Sequence, residues 1–424
     1  MSAQPAPTSL QLAHLRERSR AAGEDATLLA MRERAQELLA PLQLPERARH
    51  LWKYTDPRTF VPTSDPTVTI RASALPSWHS DDPLAGAALI AGGALRLHEL
   101  DEAARRAGVE VLDLHRADVG DLLGRAVPAT HGFVEALNMA AWAGGVLVRV
   151  PPGVRLEHPL RVRIAAGAAG SVSAPRLLVV AGEGSSFELV EGHAEGSSSA
   201  SQVLGVTEIL IGAGADVRYG VVQRWKSGVI GHLTLRALGE RGARFQLSLD
   251  SFGGKLFKAD VGAVLTGEHA EAETFGVAMG GDTQSLDHHT EHIHLAPKTR
   301  SNLDFKVALT AAARSAYTGM IRIARDAGGS EAYQENRNLL LSDRARADSI
   351  PELEILTDDV RCSHGATVAP LGPEQLFYLQ SRGLPPNQAM RVIVYGFLDQ
   401  TLQRLPERTR ERIEALVANR LHAD

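Results

Sequence analysis

The fold is decided by a stretch that begins at Gly153-Val-Arg-Leu156 and recurs as Gly184-Ser-Ser-Phe187, Gly214-Ala-Asp-Val217 and Gly242-Ala-Arg-Phe245. Each copy sets a glycine before the entry of a β-type run, and successive glycines are 31, 30 and 28 residues apart. A degenerate copy, His269-Ala-Glu-Ala272, follows 27 residues later. A fixed period of this length marks a solenoid, because one unit cannot bury its apolar face alone and gains a core by stacking on its neighbours. Glycine suits the corners, since without a Cβ it accepts positive φ.

The runs between the corners are strand-like. In Phe245-Gln-Leu-Ser-Leu-Asp250 apolar and polar side chains alternate, as in a strand with one wet face. Aromatic residues make up only 5%, which suits a narrow interior of Val, Leu, Ile and Ala. The expected fold is mainly β: a right-handed parallel β-helix, or solenoid, flanked by helical N- and C-terminal regions, with a β-sandwich as the competing reading. The strand pattern is clearest from about residue 144 to 350. The division expected is 1–90 for a helical N-terminal region and linker, 91–370 for the β-helix core, and 371–424 for a helical C-terminal region.

Outside the repeat the period changes. Leu28, Met31, Ala35, Leu38, Leu39 and Leu42 predict an amphipathic helix over 24–42, ended by Pro41 and Pro45. Residues 55–90, rich in Pro, Ser, Thr and Asp, read as a loop with short strands at most. Near the other end Pro385 and Pro386 suit a helix start, with Met390, Ile393, Val394, Phe397 and Leu398 on one face. A last helix is expected from Pro406, with Ile413, Leu416, Val417 and Leu421 on one side.

Composition narrows the function. Of 424 residues 44% are hydrophobic and 22% charged, ordinary for a folded chain, and a net charge of -5 does not invite nucleic acid or an anionic membrane. The single cysteine, Cys362, allows no internal disulfide and cannot supply the four thiolates of a typical iron–sulfur cluster. No apolar run approaches the ~20 residues that span a bilayer. The first residues lack a basic segment followed by an apolar stretch, and Glu17, Glu24 and Asp25 argue against a transit peptide. The expected location is the cytoplasm.

The usual catalytic signatures are missing. Gly253-Gly-Lys-Leu256 has neither the spacing nor the hydroxyl of a phosphate loop, no G-x-G-x-x-G follows a strand, and Gly196-Ser-Ser-Ser-Ala200 matches a nucleophile elbow only loosely. The chain is therefore expected not to be an enzyme. Two clusters remain. In Asp287-His-His-Thr-Glu-His-Ile-His294 an extended backbone puts His288, Thr290, His292 and His294 on one face. Three imidazoles there could ligate zinc or iron. Equally, they could share hydrogen bonds across solenoid turns with Thr290, Asp287 and neighbouring backbone, and this structural reading is preferred. In Asp358-Asp-Val-Arg-Cys-Ser-His-Gly-Ala-Thr367 a strand would turn Cys362 and His364 to the same side. A thiolate beside an imidazole suits iron–sulfur chemistry or zinc, and Arg361 could help stabilise the thiolate. A buried structural cysteine beside a satisfied histidine is the plainer alternative.

Pro351-Glu-Leu-Glu-Ile355, Asp358-Asp-Val360 and Cys362-Ser-His-Gly-Ala-Thr367, continuing into Leu376-Phe-Tyr-Leu379 and Ser381-Arg-Gly-Leu384, resemble the C-terminal signature of the SufB/SufD family of iron–sulfur cluster assembly subunits. Asp287-His-His-Thr290, His294, Gly319-Met-Ile321, Asn336 through Leu339 and Trp52-Lys-Tyr-Thr55 are similar to the same family. Matches run from about residue 50 to 400. His364-Gly-Ala-Thr367 resembles the SufD branch, where SufB typically reads H-E-A-T, and this chain lacks the additional cysteines of SufB. Val368-Ala-Pro370 and Leu356-Thr357 depart from the pattern beside the key residues.

The resemblance implies a scaffold that pairs with SufB through the β-helix cores and binds the ATPase SufC through its helical C-terminal region. It implies a nascent iron–sulfur cluster built at the subunit interface, with His364 as a metal ligand and Cys362 beside it at the cluster site. Reduced flavin is implied as a possible cofactor of the assembled complex, though no flavin motif is visible. The alternatives are a SufB-like paralogue, a stand-alone β-helix metalloprotein using His288–His294, and a β-helix carbohydrate-active enzyme. The last is disfavoured by four tryptophans and no acidic pair suited to glycoside hydrolysis.

Overall fold

From Gly145 onward the chain visits two walls in turn, adding one strand to each wall per circuit. The structure is a computed structural model and describes residues 23–40, 42–47, 50–62, 83–91, 93–194 and 200–423. Wall A contains Leu160–Ala165, Ser186–Ala194, Asp216–Gln223, Arg244–Ser251, Glu271–Gly280, Arg300–Leu309, Ser330–Leu340 and Val360–Pro370. Wall B contains Gly145–Val150, Arg176–Ala181, Gln202–Ile211, Ile230–Gly239, Leu256–Leu265, Ser285–His294, Arg314–Ile323 and Arg346–Ile355. These strands pair in parallel with their neighbours one turn away; Val217, for example, lies between Phe187 and Phe245. The result is a parallel β-solenoid of about eight turns. The lone Pro41, most of the linker (63–82) and Gly196 with its serines lie outside the described residues.

The corner glycines behave as the repeat demands. Gly153, Gly184, Gly214 and Gly242 have φ of +71°, +64°, +65° and +66°. They also knit the turns together: Gly184 N donates to Ala213 O and Gly214 N to Arg241 O, both at 2.9 Å. His269 takes the fifth corner at φ +62°, and Asp282, Lys298 and Ala311 adopt the same region at +52°, +56° and +49°. A left-handed backbone costs a non-glycine residue on the order of 1 kcal/mol, which stacking on both sides can override. The repeat therefore fades from the sequence after Gly242 while the turns continue.

Inward-facing side chains make the core: Leu189, Val217, Leu247, Val261, Phe257 and their neighbours pack in layers between the walls. Alternation sends the next residue of each strand outward. On wall B that outer face is covered by the N-terminal layer. The helix Ala26–Leu38 is capped by Asp25, whose carboxylate accepts from Leu28 N at 2.8 Å. Its Leu28 and Ala35 join Trp52, Phe60 and the helix Phe133–Ala141 over Leu147, Leu178, Leu204 and Leu210. Residues 114–142 thus belong to this cover, although they lie within the stretch 91–370 expected for the core.

Wall A is covered at the other end of the chain. Helices Pro386–Leu402 and Glu407–Ala423 set Val394, Leu398, Leu402, Ile413, Val417 and Leu421 against Phe252, Phe275, Val277, Met279 and Ala308. Val394 and Leu398 face inward as the helical spacing predicts; Met390, Ile393 and Phe397 are half-buried at the margin, because Ala389, Thr401 and Leu402 take the centre of the contact.

The two ends of the solenoid differ. At the N-terminal end Gly86–Ala91 continues wall A, and Ala94–Leu100 folds back on it antiparallel. Glu110–Asp113 likewise lies antiparallel on Gly145–Val150 of wall B. At the C-terminal end Arg346–Ile355 and Val360–Pro370 each pair with one neighbour only, so among the described residues both outer edges are bare.

Candidate functional site

Cys362 and His364 lie on the last strand of wall A, at that bare end. Their register partners are Ala332 and Gln334, both buried on the inner face, so the two side chains share the interior side of the strand as alternation predicts. His364 is exposed and Cys362 half-buried against Leu303, Ile321 and Ala332. Arg361 does not help the thiolate. It sits on the opposite face, 81% exposed, and its nearest carboxylate is Glu331 at 3.9 Å. Burial pushes the Cys362 thiol up from its ordinary value. The expectation of a stabilised thiolate therefore fails, because neighbours in a strand point to opposite sides.

Sequence reasoning missed the residue that faces His364 from the next turn. Gln334 is buried, and neither atom of its amide has a hydrogen-bond partner among the described residues. Gly319 makes room for it: a Cβ there would stand 2.0 Å from Gln334 Nε2. An unsatisfied buried amide costs about 1–3 kcal/mol, which a ligand or partner group at the bare end could relieve. No local motif marks Gln334, which is thirty residues from His364 in the chain.

The histidine-rich strand Ser285–His294 lies deeper. His288, Thr290, His292 and His294 all face the interior and are buried. Their partners are hydroxyls from neighbouring turns and not Thr290 or Asp287 as expected. His288 Nε2 pairs with Ser251 Oγ at 3.0 Å and His292 Nε2 with Thr274 Oγ1 at 2.9 Å. His294 is held by Thr299 Oγ1 at 2.7 Å and Ser301 Oγ at 2.8 Å, while Thr290 pairs with Tyr317 at 2.8 Å. Asp287 and His289 point outward: Asp287 meets Lys258 Nζ at 3.1 Å and accepts from Thr55, and His289 meets Asp260 at 2.6 Å. Trp52 stacks on His232 with ring centroids 5.9 Å apart, so the Trp52–Thr55 segment serves as a latch between cover and wall. Among the described residues this strand brings no three ligand atoms together as a metal site would need.

Burial pushes His288 and His294 down to about 4 and His292 to about 3, from an ordinary 6.5. These imidazoles stay neutral in the fold but take protons in the unfolded chain as pH drops below about 6.5. Their stabilising contribution is therefore whole above about 6.5 and is lost between there and about 4, by up to about 1.4 kcal/mol per pH unit for each. Chemical denaturation at stepped pH should show this loss. His292→Ala should cost about 1–3 kcal/mol at pH 7 and flatten the acid limb. An unchanged pH profile in the variant would show that His292 is not among the groups responsible.

The fold and its end define a class: an extended β-solenoid carrying a thiol and an imidazole on a bare terminal edge. Comparison with known proteins places it further. Residues 163–397 match the family model described as SUF system FeS cluster assembly, SufBD core domain. The chain is 32% identical over 283 residues to the iron–sulfur cluster assembly protein SufB of Bacillus subtilis, covering 66% of this chain and 61% of that one. It is 33% identical over 281 residues to a SufBD family protein of Staphylococcus saprophyticus, covering 66% and 60%. The chain thus spans about six tenths of the length of these curated relatives. It belongs to the SufB/SufD family of SUF-system iron–sulfur cluster assembly proteins.

Proposed function

We propose that this chain is the SufD-type scaffold subunit of a cytoplasmic SUF assembly complex, without catalytic turnover of its own. It pairs with a SufB-type subunit through the bare end of the solenoid, and the nascent iron–sulfur cluster, as cargo, is built where His364 and Cys362 meet the partner. The observation that carries this reading is the placement of both residues on an unpaired strand edge. Such edges present free N–H and C=O groups that invite another chain. Ile355, Leu356 and Val368 add exposed apolar side chains there, at 37%, 49% and 44%. A shared site also removes the need for four thiolates from a chain with one.

Gly365 supports the SufD-type assignment in particular. A Cβ at this position meets nothing within 4 Å, so space does not require glycine. What glycine does is keep a carboxylate away from His364. The test is reconstitution: the purified chain should form a heterodimer with a SufB-type subunit in gel filtration and hydrolyse no ATP alone. A chain that stayed apart from that subunit would overturn the reading.

The ATPase SufC is assigned to the helix Pro373–Ser381, where Phe377 and Tyr378 are 72% and 57% exposed. Deleting 385–424 would be a poor test, because it would strip the apolar cover from wall A. Phe377→Ala with Tyr378→Ala should instead weaken ATPase binding at least about tenfold in a pull-down, since exposed aromatics commonly anchor interfaces. The melting temperature should not move. Undiminished capture would exclude this helix as the contact.

A further inference from the structure

A cleft of about 660 Å³ opens between the N-terminal cover and the outer face of wall B, lined in part by Trp52, Phe133, His131, Glu135, His289 and Glu291. The imidazole of His131 and the carboxylates of Glu135 and Asp260 each bring one ligand atom to within 4.8 Å of the others. They come from three places: the loop before Phe133–Ala141, the first turn of that helix, and the wall strand Leu256–Leu265. His131 Nε2 stands 3.1 Å from Asp260 Oδ2, and Glu135 accepts from Thr234.

Three observations set this group apart from an ordinary surface cluster. Glu135 and Asp260 are buried, and with both imidazoles neutral three carboxylates, Glu291 included, face the single guanidinium of Arg236. Asp260 is held from behind: its Oδ1 accepts from Arg236 Nη2 at 2.6 Å and pairs with His289 Nδ1 at 2.6 Å. That is the supporting contact pattern of a carboxylate fixed for ligation, with Oδ2 turned toward His131. Finally, a Cβ at Gly132 would stand 2.5 Å from Glu135 Oε2, so only glycine leaves the carboxylate its place.

We infer that His131, Glu135 and Asp260 bind a first-row divalent transition ion, with the cleft as its entrance. One imidazole with two carboxylates suits Fe(II), Mn(II), Co(II) or Zn(II). Ligand atoms about 2.1 Å from an ion lie at most about 4.2 Å from each other, so the set must close by a few tenths of an ångström. His131, 26% exposed on a loop, has the freedom to do so. The site is separate from Cys362 and His364, which lie on wall A, and it does not depend on the function proposed above.

The experiment uses the full chain, stripped with chelator and titrated anaerobically with Co(II) and with Fe(II), following visible absorption and calorimetry. One Co(II) per chain should bind in the Cys362→Ser, His364→Ala double variant, which lacks the terminal-edge ligands. His131→Ala and Glu135→Gln should each weaken that binding at least about tenfold. Melting curves check that the variants are folded; His131, on the rim, can be replaced without opening the core. The inference is overturned if the double variant binds no Co(II), or if His131→Ala binds it as tightly as the parent.

Discussion

Replacing His364 by alanine is expected to lower iron–sulfur cluster formation by the reconstituted complex at least about tenfold, while the complex still assembles. Losing even a supporting contact to a metal ligand commonly costs about 10- to 100-fold, and losing a ligand should cost no less. The side chain is exposed on the terminal strand, so its removal opens no cavity and leaves the subunit's melting temperature in place. Cys362→Ser should be milder. Burial holds the thiol in its neutral form and packs it against Ile321 and Ala332, which fits a group that shapes the site more than one that ligates first. Iron per complex, absorbance and gel filtration report cluster yield and assembly together. Wild-type cluster yield in intact His364→Ala complexes would remove this residue from the site.

The largest effect on stability is expected at Arg176. Its guanidinium is wholly buried under the N-terminal cover, donating to Glu208 Oε1 at 2.6 Å, Asn138 Oδ1 at 2.9 Å and Val127 O at 3.1 Å. Glu208 in turn accepts from the backbone N–H of Gly124, Ala126 and Val127 at 2.9–3.0 Å. The pair fastens the 122–128 loop to wall B. Arg176→Met leaves a buried carboxylate without its counter-charge, which typically costs about 3–5 kcal/mol. Adding Glu208→Leu should recover part of that loss, because an apolar pair removes the orphaned charge. A shift in denaturation midpoint equivalent to less than about 1 kcal/mol for Arg176→Met would show that the network contributes little.

The solenoid was legible because Gly153, Gly184, Gly214 and Gly242 mark one corner of four successive turns, and a corner needs positive φ. It was less legible beyond, where His269, Asp282, Lys298 and Ala311 accept the same conformation and hide the period. Alternation within a strand correctly grouped His288, Thr290, His292 and His294, and Cys362 with His364. It could not say what lay across the interior, since Ser251, Thr274 and Ser301 reach the histidines from other turns. The same rule, properly applied, would have placed Arg361 on the far side from Cys362. His131 and Asp260 are 129 residues apart and meet only because the N-terminal cover folds back on wall B. No spacing rule finds such a pair.

The unequal ends of the solenoid limit how many subunits can join. A stack of parallel strands with two bare ends is an open polymer in waiting, since each added copy would offer a fresh edge to the next. Here the reversed strands Ala94–Leu100 and Glu110–Asp113 close the first turn. Arg96, His98 and Glu99 on the first of these set charge along that boundary. Growth can therefore proceed from one end only, and a partner built on the same plan exhausts it in a single step. The molecule terminates its own assembly at two solenoids, which keeps an edge sticky enough for pairing from becoming a fibre.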